Sequence, residues 1–357
     1  MDFFGFGKKY FVGVDFGTSV IKIVELSYQK NRVQLENYGW VETGINFEDR
    51  SKNRTLTFTF EERLKVYLKE LVRRMNLHSK SVLVSIPAYA GLISIVEFPD
   101  MAHDELERAI KFEARKHIPT SLEEVSFSWD IVGTDVTPSG AKRLRIALVA
   151  APQKEVVKYE GLVSSAGLNV DVVELETFSL VRGLVGSDPG TFLIIDIGAR
   201  ATNIILVEKG IIQVNRNIDV GGYDITDTIA DSLNISKTRA EALKKEKSDF
   251  LNSNEMSLIV PSLELISNEA IRIINLSKEK RKDLKIDSVI LSGGSSRMRG
   301  LDTYFSKSLG VSAVMGNSFK KIIVDPKIEP IISGQLSTSF TVAVGLAFRG
   351  IEDLKSK

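Results

Sequence analysis

A short segment near the start of the chain places one carboxylate, two hydroxyls and an amine around a glycine. Asp15 and Gly17 are followed by Thr18, Ser19 and, a little further on, Lys22. Backbone N–H groups at such a turn can converge on an anion, and the hydroxyls and the lysine add further donors. A carboxylate beside a phosphate is repelled unless a divalent cation lies between them, as Mg²⁺ does when carboxylates and phosphate oxygens share it. The segment therefore predicts a site for a phosphate group and Mg²⁺.

The same pattern returns in the second half of the chain. Residues 14–23 read VDFGTSVIKI and residues 195–204 read IDIGARATNI, so that Asp196 and Gly198 repeat the first acid and glycine at one common offset. Apolar runs flank both turns, which predicts two β-hairpins. A single Asp-x-Gly is an ordinary hairpin turn. Two matched copies predict a two-lobed molecule whose hairpins face each other and hold a polyphosphate with its Mg²⁺.

Two further glycine pairs follow in an informative order. The strand-like run 286–292 is followed by Gly293 and Gly294, where backbone can approach a ligand closely. An earlier Gly-Gly pair precedes Asp224, which we expect to be the N-cap of a helix. The next helix carries Glu241 and Lys244 on one side, at i and i+3. Each feature is frequent by itself, and the order along the chain makes the set specific.

Composition excludes several classes of protein. The 357 residues suggest two or three domains or subdomains, and the net charge of +1 gives no electrostatic reason to expect nucleic acid. The absence of cysteine excludes disulfides, thiolate catalysis and zinc–thiolate sites, and the histidines form no metal-binding motif. The longest uncharged run, 81–96, is shorter than the ~20 residues of a spanning helix. It contains a proline and a glycine, so we expect two short strands there and a cytoplasmic protein.

Two segments have the periodicity of amphipathic helices. The first lies within 98–133, where we expect Pro119 to end the helix before two strands follow. The second is 258–282, with Pro261 in its first turn. The apolar stripes are Leu106, Ala109, Ile110 and Ala114 in the first segment, and Leu263, Ile266, Ala270 and Ile273 in the second.

The order of these elements resembles the superfamily of actin, sugar kinases and heat-shock ATPases. A narrower resemblance lies in 98–133, which looks like the PilM family of type IV pilus assembly proteins, relatives of the cell-division protein FtsA. Residues 5–27, 216–226 and 342–350 fit the same family. The resemblance implies an α/β protein with an actin-like two-lobed ATPase fold, a duplicated sheet-and-helix core and an FtsA-like inserted 1C subdomain.

The same resemblance implies approximate domain boundaries. The core of lobe I, subdomain 1A, is expected to combine residues 1–87, 152–190 and 335–357. The inserted 1C-like subdomain is expected over 88–151. Lobe II, subdomain 2A, is expected over 191–334, with 222–284 as its helical subdomain 2B.

The resemblance also assigns an ATP–Mg²⁺ site between the lobes, with Asp15 and Asp196 on the metal side. Glu176 stands where relatives carry a water-activating acid followed by proline, but here Thr177 follows. Arg200 stands in the second loop, where small residues are more usual. We therefore expect nucleotide binding with at most weak ATPase activity. The implied nucleotide-binding residues are Asp15, Gly17, Thr18, Ser19, Lys22, Gly198, Thr202, Gly222, Asp224, Glu241, Lys244, Gly293, Gly294 and Arg297.

In function, the resemblance implies a cytoplasmic adaptor of the inner-membrane platform that assembles type IV pili. Proteins of the family take up the cytoplasmic N-terminus of the membrane protein PilN in a groove between 1A and 1C. Through PilN they connect to PilO, PilP and the pilus motor, which would place this chain at the inner membrane. Nucleotide is expected to bias the groove, and a homo-oligomer or ring is an open possibility.

Two other functions fit the same fold. One is a filament-forming protein like FtsA, which usually ends in a linker and an amphipathic membrane helix; we do not expect such a helix from residues 350–357. The other is a small-molecule kinase, which the PilM-like segment 98–133 disfavours. Pilus, pseudopilus and competence systems use similar parts, so the resemblance does not choose among them.

Overall fold

The computed structural model describes residues 7–43, 59–118, 120–137, 140–245, 249–251 and 258–356. The strands are β1 (Lys9–Phe16), β2 (Val20–Gln29), β3 (Arg32–Glu42), β4 (Ser81–Ile86), β5 (Leu92–Pro99), β6 (Val125–Val136), β7 (Lys142–Pro152), β8 (Asn169–Leu175), β9 (Thr191–Ile197), β10 (Thr202–Glu208), β11 (Ile211–Ile218), β12 (Ser288–Ser292) and β13 (Ala313–Met315). The helices are α1 (Phe60–Met75), α2 (His103–His117), α3 (Gln153–Ser165), α4 (Glu176–Leu184), α5 (Gly222–Leu233), α6 (Lys237–Lys245), α7 (Pro261–Lys280), α8 (Leu301–Leu309), α9 (Glu329–Ile331) and α10 (Thr341–Ser356).

Two five-stranded sheets repeat one topology. The first has the order β3-β2-β1-β4-β8 and the second has the order β11-β10-β9-β12-β13. In each sheet, three antiparallel strands are followed by two parallel ones. The predicted hairpins are confirmed as β1–β2 and β9–β10. The duplication seen in the sequence is therefore a duplication of whole sheets.

A third, three-stranded sheet is inserted into the first lobe after β4. Its order is β5-β7-β6, and α2 covers it with Leu106, Ile110 and Ala114 buried. The strand pair expected in 81–96 is confirmed as β4 and the start of β5. The helix ends at His117, and the predicted breaker Pro119 lies outside the described residues.

The insert is joined to lobe I by two short connections. Residues 87–91 link β4 to β5 and contain one turn of 3₁₀-helix. At the other end, β7 finishes at Pro152 and α3 begins at the next residue. Helix α3 packs on the lobe I sheet through Leu162 and Val163. The predicted insert boundaries, 88 and 151, remain a prediction.

Helices α4 and α10 lie between the two large sheets. Leu180 of α4 and Leu346 of α10 share one buried cluster with residues of both sheets, including Leu83 and Ile205. The two helices approach so closely that a Cβ added to Gly345 would lie 2.0 Å from the carbonyl oxygen of Ser179. Because glycine lacks a Cβ, backbone can contact backbone at this crossing.

The predicted helix within 258–282 is confirmed as α7. Pro261 occupies its first turn, and the predicted stripe of Leu263, Ile266, Ala270 and Ile273 is buried in the lobe II core. In the described part of the chain, none of the helices is both long enough and apolar enough to cross a membrane.

Candidate functional site

A cavity of about 750 Å³ lies between the lobes, with the two hairpin turns on its walls. It brings together most of the residues that the sequence predicts as a nucleotide site. The predicted residues that line it are Asp15, Gly17, Thr18, Ser19, Lys22, Glu176, Asp196, Gly198, Gly222, Glu241, Lys244, Gly293, Gly294 and Arg297.

The first hairpin turn is held by hydrogen bonds within the turn and from Thr43. Gly17 N–H donates to the Val20 carbonyl at 3.1 Å, which closes the turn. Thr43 donates twice to the turn: its N–H to the Ser19 carbonyl at 2.8 Å and its hydroxyl to the Thr18 carbonyl at 3.0 Å. The carbonyl and the N–H of a peptide unit point in opposite directions. The N–H groups that follow these two carbonyls therefore point away from Thr43.

The second turn is built in the same way with a different anchor. Gly198 N–H donates to the Ala201 carbonyl at 3.0 Å. The start of α5 then binds the loop carbonyls, since Gly222 N–H donates to Gly198 and Tyr223 N–H donates to Ala199, both at 2.8 Å. In both turns, carbonyl groups are occupied by neighbouring donors, and the peptide N–H groups beside them point away from those donors, as in a phosphate cradle.

Three carboxyl groups face the cavity between the turns. Asp15 is buried and pairs with Lys22 at 3.1 Å. Burial raises the pKa of Asp196 to about 6, and the negative charge of Asp15 adds to the shift. Burial raises the pKa of Glu176 to about 8, and the charges of Asp196 and Asp15 add to it. Carboxylates that repel one another in a partly dry cleft would be stabilised by a cation.

A cation in this position would need ligands beyond the protein. Within the described residues, no group of three or more His, Asp or Glu side chains could hold a metal ion. Mg²⁺ is commonly bound by one or two carboxylates, with waters and phosphate oxygens completing its octahedron. The pair Asp15 and Asp196 fits that kind of site.

The wall formed by lobe II carries a buried ion pair and a second cation. Lys244 is buried and its Nζ lies 2.6 Å from Glu241 Oε2. It also donates to the Gly222 carbonyl at 2.8 Å, which ties α6 to the start of α5. Burial alone would raise the pKa of Glu241, but Lys244 outweighs that effect and holds it below its usual range. Arg297 lines the same wall, and burial lowers its pKa.

The Gly-Gly turn after β12 depends on its first glycine. Gly293 has φ = +87°, and a Cβ there would lie 2.3 Å from the Ile197 carbonyl oxygen. Gly294 faces open space, with no atom within 4 Å of an added Cβ. The turn therefore brings bare backbone to the edge of the cavity.

Two predicted residues support the site without lining the cavity. Thr202 is fully buried, and its hydroxyl donates to the Val220 carbonyl at 2.7 Å. Asp224 is not the N-cap of α5, because Gly221 occupies that position. The Asp224 carboxylate instead accepts the Gly221 N–H at 2.8 Å from the first turn of the helix. Both side chains fix the backbone around the second turn and do not line the cavity. The expected N-cap role of Asp224 is wrong, whereas nucleotide binding by Thr202 and Asp224 stays a prediction.

One lining residue was missed by the sequence analysis. Asn203 is the cross-strand neighbour of Asp196, just as Lys22 is the cross-strand neighbour of Asp15. Its Nδ2 donates to Thr177 Oγ1 at 3.2 Å, and its buried Oδ1 has no hydrogen-bond partner among the described residues. The alignment of 14–23 with 195–204 places Asn203 opposite Lys22, so the signal was present in the repeat. An unpaired buried acceptor facing a cavity fits a polar ligand or its water.

The comparison with known families decides the identity of the fold. A family model described as type IV pilus assembly protein PilM matches residues 13–351. The chain belongs to the PilM family. This PilM-family chain is 24% identical to a chain of a solved PilM–PilN type IV pilus biogenesis complex. The TM-score is 0.78, and the match covers 96% of this chain and 98% of that one.

More distant relatives agree on the architecture. The ethanolamine utilization protein EutJ of Carboxydothermus hydrogenoformans has a TM-score of 0.53 and 17% identity, over 95% of this chain and 89% of its own. The cell-division protein FtsA of Enterococcus hirae is 21% identical over 345 residues, which are 85% of this chain and 77% of FtsA. The predicted actin-like, two-lobed α/β fold of this PilM-family chain is confirmed.

Replacing Glu176 with Gln should remove a large pH dependence of stability. The folded pKa of about 8 lies above the unfolded value of 4.5, so between them the folded state binds more protons. The free energy of unfolding of the wild type therefore falls as pH rises through this window. Glutamine does not titrate and can still accept the Ala88 N–H that Glu176 accepts at 2.9 Å.

We expect the free energy of unfolding of the variant to equal that of the wild type at about pH 5 and to exceed it by roughly 3 kcal/mol at about pH 8.5. Urea unfolding at both values, without nucleotide or divalent cation, measures this. Parallel pH profiles for the two proteins would contradict the assigned pKa.

Proposed function

We propose that this chain is an ATP-binding adaptor of a type IV pilus assembly platform. In this proposal, it works in the cytoplasm at the inner membrane and binds the cytoplasmic N-terminus of a PilN-like protein. Nucleotide between the lobes biases that binding. The observation that carries the proposal is the duplicated pair of hairpin turns, which line one cavity while a separate small sheet is inserted after β4.

The cavity supports the nucleotide part of the proposal. Asp15 and Asp196 would hold Mg²⁺, and the two hairpin turns would hold phosphate oxygens. Glu241, Lys244 and Arg297 stand on the lobe II wall, where the nucleoside would lie. The unpaired Asn203 Oδ1 and the glycine backbones leave polar groups for such a ligand.

The state of Glu176 supports weak hydrolysis. A general base must be deprotonated to accept a proton from water. With a pKa of about 8, Glu176 is largely protonated at neutral pH in the absence of a cation. One of its oxygens is also occupied by the Ala88 N–H. The proposal therefore treats the nucleotide mainly as a conformational ligand.

The partner part rests on the family and on the insert. The related PilM was solved in a complex with PilN, and this chain matches it over nearly its whole length. The insert and the neighbouring α3 expose apolar side chains, among them Phe112, Ile131 and Val157. A PilN-like peptide would bind between the insert and the lobe I core. PilO-like and PilP-like proteins and the motor would then be reached through that partner.

The energy required for a nucleotide bias is small. A nucleotide shifts peptide binding only by its differential affinity for the two lobe arrangements. A tenfold change in peptide affinity corresponds to about 1.4 kcal/mol. A few contacts that differ between the arrangements suffice, and rapid ATP turnover is not needed.

Peptide titration tests the proposal directly. A synthetic peptide of the cytoplasmic N-terminus of the PilN-like protein from the same organism is titrated by calorimetry, with Mg-AMPPNP, with Mg-ADP and without nucleotide. We expect binding, with an affinity that changes about tenfold between nucleotide states. A peptide of the same composition in scrambled order is the control. Tight nucleotide binding without peptide binding would contradict the adaptor and direct attention to a filament or a kinase, which sedimentation and turnover assays separate.

A further inference from the structure

A residue from the root of the insert contacts the second hairpin turn across the cleft. Tyr89 lies in the connection 87–91, and the guanidinium carbon of Arg200 is 6.0 Å from the centre of its ring. This distance is within the range of a cation–π contact. Both side chains line the cavity, one from each lobe.

Arg200 also forms an exposed ion pair with Asp219. Its Nε lies 3.1 Å from Asp219 Oδ1, and the side chains are 53% and 74% exposed. Exposed ion pairs contribute little free energy. A phosphate group offers more charge and can accept two guanidinium hydrogen bonds, so it can compete for Arg200. Arg200 stands in the loop whose neighbouring N–H groups form the phosphate cradle.

Tyr89 stands in a connection that is fixed on the opposite side. The preceding residue, Ala88, donates its N–H to Glu176 at 2.9 Å. At Gly91 an added Cβ would lie 2.4 Å from Leu175 Cδ2, so this connection packs tightly on the junction of β8 and α4. Strand β5 of the insert begins at the next residue. A change at the Tyr89 ring is therefore close to the point at which the insert leaves lobe I.

The insert has another contact with lobe II, away from the cavity. Arg145 of β7 donates to Gln213 of β11 at 3.1 Å. Neither residue lines the cavity. The insert therefore contacts lobe II both at the border of the ligand cavity and away from it, where β5 also packs beside β11 and Ile93 packs on the cluster around Ile205. Release of the first contact alone would weaken the hold of lobe II on the root of the insert while the contacts away from the cavity remain.

We propose that Arg200 and Tyr89 form a contact that distinguishes a nucleoside triphosphate from a diphosphate and transmits the difference to the insert. The inference rests on the proposed nucleotide binding between the lobes. Arg200 donates to the terminal phosphate of a triphosphate and leaves Tyr89. With a diphosphate, Arg200 stays over the Tyr89 ring.

Two variants separate the recognition from the transmission. Arg200→Ala removes the guanidinium, and Tyr89→Ala removes only the ring. Arg63 lies 6.0 Å from the ring of Phe60 on α1, so Phe60→Ala removes a ring from an equal contact outside the cleft. Arg216→Ala is the second control, since Arg216 is exposed to a similar degree (55%), pairs with Glu269 and does not line the cavity.

The experiment combines calorimetric titration of Mg-AMPPNP and Mg-ADP with hydrogen exchange of residues 87–99. For Arg200→Ala we expect about a tenfold loss of AMPPNP affinity and unchanged ADP affinity, because hydrogen bonds to charged groups are worth about that much. For Tyr89→Ala we expect AMPPNP affinity to rise by about twofold to fivefold, because the cation–π contact no longer has to be broken, with unchanged ADP affinity and loss of the exchange difference between the two nucleotides. Both controls should behave as the wild type.

The outcomes distinguish this inference from the proposed function. An equal loss of both affinities in Arg200→Ala, or an exchange difference that survives in Tyr89→Ala, overturns the inference and leaves nucleotide binding intact. A wild-type protein that binds neither nucleotide overturns both proposals.

Discussion

Gly345→Ala is expected to lower the free energy of unfolding by about 3 kcal/mol or more. The new Cβ would lie 2.0 Å from the Ser179 carbonyl oxygen and 2.6 Å from its carbonyl carbon. Those atoms are backbone, so α4 and α10 must move apart to admit the methyl group. The two helices share a buried cluster with both large sheets, and separating them opens this cluster. Thermal and urea unfolding of the purified variant measure the effect.

The expected sign is opposite to that of helix propensity. Alanine is favoured over glycine in a helix interior by up to about 1 kcal/mol. Gly161→Ala in α3 is the matched control, since no atom lies within 4 Å of its added Cβ. We expect that control to be slightly more stable than the wild type. If both variants gained stability, the close crossing of α4 and α10 would be incorrect.

Asp196→Asn is expected to weaken Mg-nucleotide binding by about 100-fold while leaving the protein folded. The substitution removes one of the two carboxylates that would hold Mg²⁺. Without a cation, that carboxylate destabilises the fold. Its folded pKa of about 6 exceeds the ordinary 3.8, so stability is lost as pH rises through this window. Above that window, the asparagine variant should be at least as stable as the wild type without ligand.

Calorimetric titration with Mg-AMPPNP and thermal unfolding without ligand provide the two measurements. Asp231→Asn, an exposed substitution on α5 outside the cavity, is the control and should change neither. Unchanged nucleotide affinity in Asp196→Asn would contradict the placement of Mg²⁺ between the hairpins. A parallel loss of affinity and stability would instead indicate that Asp196 supports the fold.

The parts of the fold that depend on residues close together along the chain could be predicted from the sequence. The hairpins around Asp15 and Asp196 follow from strand patterns and short turns, and both were found. The apolar stripes of α2 and α7 are buried as their periodicity indicates. The repeat of one motif was enough to predict two lobes, because each copy is part of a sheet with the same strand order.

The direction in which a side chain points could not be predicted from the local sequence. Thr202 follows the second turn in the same way that hydroxyls follow glycine in many phosphate loops, yet its hydroxyl binds the Val220 carbonyl inside the protein. Asp224 is of a residue type that favours the N-cap, but Gly221 is the N-cap of α5 and the Asp224 carboxylate accepts the Gly221 N–H. Both outcomes depend on where a distant backbone carbonyl or N–H lies, which the local sequence does not state.

Contacts between segments that are distant along the chain could not be predicted from the sequence either. Tyr89 and Arg200 are far apart along the chain and meet only because the two lobes face each other. The glycine at 345 reads as part of an ordinary amphipathic helix, and its purpose becomes visible only beside Ser179. Asn203 was recoverable, since the internal repeat aligns it with Lys22, but that requires the repeat to be read strand by strand.

The two short connections of the insert also determine how it would carry mechanical load. Neither end is a flexible tether, because 87–91 packs on Leu175 and Pro152 leads directly into α3. A force on the three-stranded sheet would act on lobe I at two nearby points, the end of β4 and the start of α3. Because both points are packed, they would resist a rotation of the insert together. The insert would therefore move with lobe I as one stiff body, so that a displacement of its sheet is passed on to β4 and α3 instead of being absorbed in a linker.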